Sequence, residues 1–276
     1  MRFAIVVVAT LSVLAVCASG STSARVSVPT PTATATVTPA PSPTPSPTPI
    51  PPTATPVPSP APPPTECAGK AVAIYHGNPS RMMVALTFDA ESTAGYTQQI
   101  LDTLQARNLH ATFAVTGGWA QSYPGLLRAI VAGGHQVINH SQNHASFTGK
   151  STKKGPLTAE QRAWELQTAD KAIKDVSGVS PSPYFRPPYG DLDASVLCDI
   201  VSSGYSYAVM WNADTNGYKK ATVDQIVATS LAEAKPGGIY VMHVASNSND
   251  AAALARIIDA LQANGYSFGT IDEVIR

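Results

Sequence analysis

Residues 66–276 predict one α/β domain in which a mostly parallel sheet is covered by helices. Short apolar runs alternate with helical patterns along the whole segment, the order that strand–helix–strand units produce. Polar clusters follow these runs at the carboxyl ends of the expected strands, where barrels of parallel strands carry their chemistry. The strand count, about seven, leaves an open sheet and a closed barrel both available. The placement of the polar clusters favours the barrel.

Met82–Phe88 is the first expected strand, and Thr97–Ala106 a helix with Ile100, Leu101 and Leu104 on one face. Ala111–Val115 is a second strand, and Tyr123–Ala132 a helix that Gly133 and Gly134 end. Gln136–Asn139 is a third strand. Thr158, with Glu160 and Gln161 close behind, reads as the N-cap of a long helix reaching about Val176. Then come Tyr184–Phe185, a helix over Asp193–Ser202, a strand over Tyr207–Met210 and a helix over Val223–Ala234. A strand over Gly238–Met242, a helix over Ala251–Ala263 and a short strand near Tyr266–Phe268 complete the series.

The N-terminal segment has a different composition. Met1–Arg2 precedes the apolar run Phe3–Val16 and a stretch of small residues. This predicts an export signal over residues 1–24, because the run is shorter than the roughly 20 residues of a membrane span. Leu14-Ala15-Val16-Cys17 also resembles a bacterial lipoprotein signal, which would place a lipid on Cys17. Of 24 prolines, 16 lie between Pro29 and Pro64, and no charged residue occurs between Arg25 and Glu66. Residues 25–65 have few large apolar groups to offset the entropy of ordering, so they predict a disordered, extended Pro/Thr-rich linker. The protein is expected to be exported, either secreted or tethered at the outer face of the cell membrane or cell wall. There Cys67 and Cys198 can pair as a disulfide; two separate thiols are the alternative. A formal net charge of zero and the lack of an extended basic cluster argue against nucleic acid as a partner. No stable protein partner is expected.

Five polar segments carry the chemistry: Thr87-Phe88-Asp89, His140-Ser141-Gln142-Asn143-His144, Arg186-Pro187-Pro188-Tyr189-Gly190, Trp211-Asn212-Ala213-Asp214 and Met242-His243. Each follows or ends an expected strand, so all five can converge on one pocket. In this order they resemble the signature motifs of the polysaccharide deacetylases, the NodB-like enzymes of carbohydrate esterase family 4. Leu101-Asp102-Thr103-Leu104, Ala111-Thr112-Phe113 and Gly134-His135 add to the resemblance, which spans Val84 to Ile271.

The resemblance implies a NodB-like distorted (β/α) barrel, a divalent metal and hydrolysis of N-acetyl, or O-acetyl, groups on a glycan. Zinc is the first choice of metal, with cobalt or nickel as alternatives. His140 and His144 become metal ligands, able to aim at one ion if their loop makes a helical turn. A structural reading would have them bonded to backbone. Asp89 matches the catalytic base, His243 the acid that protonates the leaving group, and Arg186 the residue that orients the base. Tyr189 would shape the acetyl site with its backbone N–H as an oxyanion donor, and Trp211 would wall the acetyl methyl. Trp119 and Tyr218 are further candidates for stacking on sugar, while Trp164 reads as a packing residue. An acetylated glycan such as peptidoglycan or a chitin oligosaccharide is the expected partner.

Two positions depart from the family pattern. Ala90 stands where the family commonly has a metal-binding aspartate, and Glu91 is the adjacent substitute. Gly217 stands where many relatives carry a second acid that tunes the acidic histidine, a role Asp214 is then expected to share. These departures support a competing reading: a catalytically weak or inactive glycan-binding homologue. A third reading, in which the proline-rich segment engages a protein module, is disfavoured by its lack of interspersed basic residues.

Overall fold

The computed structural model describes Cys67 and residues 69–276. The expected export signal, Cys17 and the linker lie outside the described residues. Among the described residues no helix is long and apolar enough to cross a membrane.

Among the described residues nine strands form one sheet: β1 (Val72–Ile74), β2 (Met83–Ala90), β3 (Thr112–Val115), β4 (Gln136–Asn139), β5 (Tyr184–Phe185), β6 (Tyr207–Val209), β7 (Ala213–Asp214), β8 (Ile239–His243) and β9 (Ser267–Phe268). Their order is β1-β6-β5-β4-β3-β2-β8-β7, with β9 added on β2, and every pairing is parallel. β1 and β7 end this path without pairing to each other, so the sheet is curled rather than closed: a distorted (β/α) barrel. Two strands exceed the expected seven. β1 and β7 are three and two residues long, too short to show a period-two pattern. They exist because β6 and β8 offer them edges.

Among the described residues eight α-helices lie between or after the strands: α1 (Thr97–Ala106), α2 (Gly117–Ser122), α3 (Pro124–Ala132), α4 (Ala159–Ser177), α5 (Ala194–Ser202), α6 (Val223–Ala232), α7 (Asp250–Ala263) and α8 (Ile271–Ile275). Thr158 and Gln161 close a capping box at the start of α4, and Gly178 ends it in a left-handed conformation. Asp193 caps α5 by accepting from the amides of Ser195 and Val196.

The strand alternation divides the core into two layers. Leu86, Phe88, Phe113, Val115 and Val137 face the helices, where Leu104, Ile130 and Leu254 cover them. Ala85, Ala114, Ile138, Val209 and Ile239 face the barrel interior, which Ile271 and Val274 of α8 fill. The interior is therefore packed, and its carboxyl-end mouth is left for chemistry. Cys67 and Cys198 are joined, with sulfurs 2.01 Å apart. This ties the chain just before β1 to α5, beside the bond from the Ala71 amide to Leu197 O at 3.0 Å.

Candidate active site

The inner row of β2 runs Ala85, Thr87, Asp89 and continues to Glu91, so the two acids face one side. Phe88 and Ala90 belong to the outer layer, both fully buried. Glu91 thus reaches the mouth of the barrel from the strand's own alternation, whereas the methyl group of Ala90 packs among apolar neighbours.

Asp89 is 5% exposed and Arg186 is fully buried. Arg186 Nη1 donates to Asp89 Oδ1 and to Thr87 Oγ1, each at 2.7 Å. Its Nε donates to Val209 O at 3.2 Å. Burial would raise the Asp89 pKa, but the Arg186 guanidinium, with the fields of the neighbouring His140 and His243 rings, outweighs it and holds the carboxyl below its ordinary value.

His140 Nδ1 lies 2.8 Å from Arg186 O. A ring nitrogen facing a carbonyl is the one that carries the proton, which leaves Nε2 with a free lone pair. That Nε2 is buried without a hydrogen-bond partner, 3.7 Å from Asp89 Oδ2. His144 Nε2 lies 3.4 Å from Glu91 Oε1. Glu91, His140 and His144 each offer one ligand atom, all within 4.8 Å of one another. Burial, together with His140 and His243, lowers the His144 pKa to about 3, which keeps its ring neutral as a metal ligand must be. Burial and the nearby Asp89 raise the Glu91 pKa above its ordinary value, against the opposing effect of His140 and His243. An orphaned buried imidazole nitrogen beside a second imidazole and a carboxylate is a donor set that fits a divalent ion of the zinc type.

The two histidines approach one another without the helical turn that their spacing would have required for both to aim at one ion. Ser141 and His144 take positive φ, 69° and 55°, and the loop amides are satisfied by side chains. Ser141 N donates to Asn139 Oδ1 at 2.7 Å. Gln142 N and Asn143 N donate to Glu165 Oε2 at 2.9 and 2.8 Å. The rings end 4.8 Å apart. Glu165, buried on α4, escaped the sequence reading because nothing in a helical pattern marks an acid that turns inward.

His243 ends β8, with Nε2 3.9 Å from Glu91 Oε1 and Nδ1 3.8 Å from Asp250 Oδ2. Burial alone would lower its pKa, yet Asp250, Asp89 and Glu91 raise it above the ordinary histidine value. Asp250, not Asp214, is the carboxylate within 4 Å of His243 Nδ1. Asp214 Oδ1 accepts from Asn216 N at 2.8 Å, which ties it into its own turn, although the residue lines the cavity. Asp250 was missed because Ser246–Asp250 reads as a polar loop; an acid in the first turn of a helix following His243 was the available signal.

A cavity of about 370 Å³ opens over these groups, with Tyr189, Trp211, Tyr218 and Val241 among its walls. Tyr189 holds φ 60°, and its ring lies 4.5 Å from that of His144. The Tyr218 ring is 4.9 Å from His243. The Arg186 guanidinium carbon sits 5.7 Å from the Trp211 ring. Trp119 does not reach the cavity: it is buried, and its Nε1 donates to Thr93 O at 2.8 Å, fixing the loop after β2. Trp164 is half-exposed on α4 rather than packed in the core.

The sequence pattern described as polysaccharide deacetylase matches residues 76–208. A peptidoglycan-N-acetylmuramic acid deacetylase, PdaA of Bacillus subtilis, is 32% identical over 209 residues, covering 74% of this chain and 75% of that one. The chain belongs to the polysaccharide deacetylase family. Another member of this family, the chitooligosaccharide deacetylase of Sinorhizobium fredii, is 31% identical over 202 residues, covering 69% and 89%. The polysaccharide deacetylase fold also appears in a CE4 family pseudoenzyme from Bacillus anthracis. Its crystal structure has a TM-score of 0.68 at 26% identity over 74% of this chain and 69% of that one. A mutant of that protein has restored enzymatic activity.

Proposed function

We propose that the protein is a metal-dependent deacetylase of an exported or cell-wall glycan, with peptidoglycan and chitin oligosaccharides as the substrate class. The observation that carries this reading is the convergence of Asp89, Glu91, His144 and His243 on one cavity, with a ligand atom of His140 within 4.8 Å of those of Glu91 and His144. Glu91, His140 and His144 would hold the ion, which when bound supplies Lewis acidity and lowers the pKa of water. Asp89, held ionised by Arg186, takes a proton from the attacking water. The water oxygen adds to the acetyl carbonyl carbon. As the C–N bond breaks, protonated His243 delivers its proton to the sugar amine, leaving acetate and a free amino sugar. The Tyr189 backbone N–H would donate to the developing oxyanion. Trp211 and Val241 form an apolar wall for the acetyl methyl. Homology to peptidoglycan-acting enzymes supports action outside the cytoplasmic membrane.

The second reading, a glycan-binding protein without turnover, is favoured by Ala90 and by the pseudoenzyme of the same fold. One experiment separates them. The purified protein is stripped with chelator and assayed for acetate release from peptidoglycan and acetylated chito-oligosaccharides, with zinc, cobalt or nickel returned in turn. Metal-restored release that disappears in Asp89→Asn is the expected result. Glycan binding with no release under any metal would establish the second reading.

A further inference from the structure

Asp250 is fully buried at the first position of α7. Its carboxylate accepts from Thr215 Oγ1 at 2.6 Å on Oδ1, and from Ser248 Oγ and the His243 amide on Oδ2, each at 2.8 Å. All three donors are neutral. Among the described residues no Lys or Arg pairs with it, and the His243 ring, cationic when protonated, is the basic group within ion-pair distance, with Nδ1 at 3.8 Å. A buried carboxylate left without a counter-charge is costly. His243 Nδ1 is itself buried without a hydrogen-bond partner. Each group lacks what the other offers, and the bond from the His243 amide to Asp250 anchors them to one another.

The space beside this pair is equally informative. A Cβ at Gly217 would lie 2.3 Å from Asp250 Oδ1 and 2.7 Å from Ser248 Oγ. A side chain at 217 and the carboxylate of Asp250 therefore cannot coexist in this arrangement. We propose that Asp250 is the positioning carboxylate of His243, reaching from α7 into the space that a side chain at 217 would fill. It receives Nδ1–H and so turns Nε2 toward Glu91 and the cavity. The proposal rests on the deacetylase reading for what His243 then does, but the pairing stands on geometry alone.

The test combines kinetics with histidine ¹⁵N–¹H spectra of the full chain. The His243 signals are identified by their loss in His243→Gln. Wild type is expected to show a hydrogen-bonded Nδ1–H at His243, and Asp250→Asn to lose that signal. Asp250→Asn should also reduce kcat for acetate release by about 10-fold or more with KM nearly unchanged, the lower figure being what loss of a carboxylate behind a metal-site histidine costs and far larger losses following the same change behind a general-base histidine. Gly217→Asp alone should be as impaired, because the two side chains collide. Gly217→Asp combined with Asp250→Ala should recover kcat above that of Asp250→Ala, because the acid has been moved and not merely lost. Wild-type spectra in which His243 carries its proton on Nε2 and not on Nδ1 overturn the proposal, whatever the variants' folding. So does an Asp250→Asn enzyme as active as wild type. If wild type releases no acetate, the deacetylase reading fails instead, and the spectra still decide whether Asp250 holds His243.

Discussion

Replacing Glu91 by Gln tests the metal site at its least conventional member. The substitution keeps the side-chain length and removes one negative charge from a three-donor set in which Glu91 Oε1 stands 3.4 Å from His144 Nε2. Removing a group that merely orients a metal ligand weakens binding by about 10- to 100-fold, so a direct ligand should cost at least the upper figure. A hundredfold loss corresponds to about 2.8 kcal/mol at about 1.4 kcal/mol per decade. The assay is zinc affinity by competition with a chromophoric chelator, near neutral pH, for wild type, Glu91→Gln and His140→Ala. Glu160→Gln, an exposed acid on the first turn of α4, serves as a charge control and should bind as wild type does. A Glu91→Gln affinity within about threefold of wild type, beside abolished binding in His140→Ala, would refute the argument: the two histidines and solvent would then suffice without the substitute carboxylate.

Arg186→Met should destabilise the fold by about 3–5 kcal/mol, because it leaves Asp89 buried without its 2.7 Å partner; urea unfolding of the two proteins measures the difference. His135, at the opposite end of β4, has its pKa lowered to about 4 by burial, with His110 adding to the effect. The unfolded chain therefore binds a proton that the folded one refuses, and stability should fall as pH drops from about 6.5 toward 4. After allowance for solvent screening this amounts to about 1–2 kcal/mol; guanidinium midpoints across that range should lose this component in His135→Asn, whose side-chain oxygen can still accept the Ala111 amide that Nδ1 accepts at 3.2 Å.

Much of this architecture was legible in advance, and the exceptions are instructive. Thr97–Ala106 and Gln136–Asn139 appear with the expected bounds, because apolar periodicity and terminating glycines are local signals. β1 and β7 were not legible, since two or three residues carry no period and depend on a neighbouring strand for their hydrogen bonds. Among the site residues, Asp89, His140, His144, Arg186 and His243 announced themselves by following apolar runs. Glu165 and Asp250 did not. Each is an acid on a helix, and an inward-turned acid looks like a solvated one until the tertiary fold shows what it faces. Asp214 failed in the opposite sense: its place beside Trp211 drew attention, but its carboxylate is used by the amide two residues on.

By itself the sequence determined the fold class, the family and the set of residues that could meet at the barrel mouth, because strand–helix alternation and polar groups at strand ends are properties of the linear order. Only the tertiary structure decided which acid faces which histidine. It sends Glu91 inward by strand alternation while Ala90 goes to the apolar layer, and it brings Asp250 to His243 across a space that Gly217 leaves open. Those pairings depend on which side of a strand a residue occupies and on how closely two distant backbones approach, distances that no local pattern encodes.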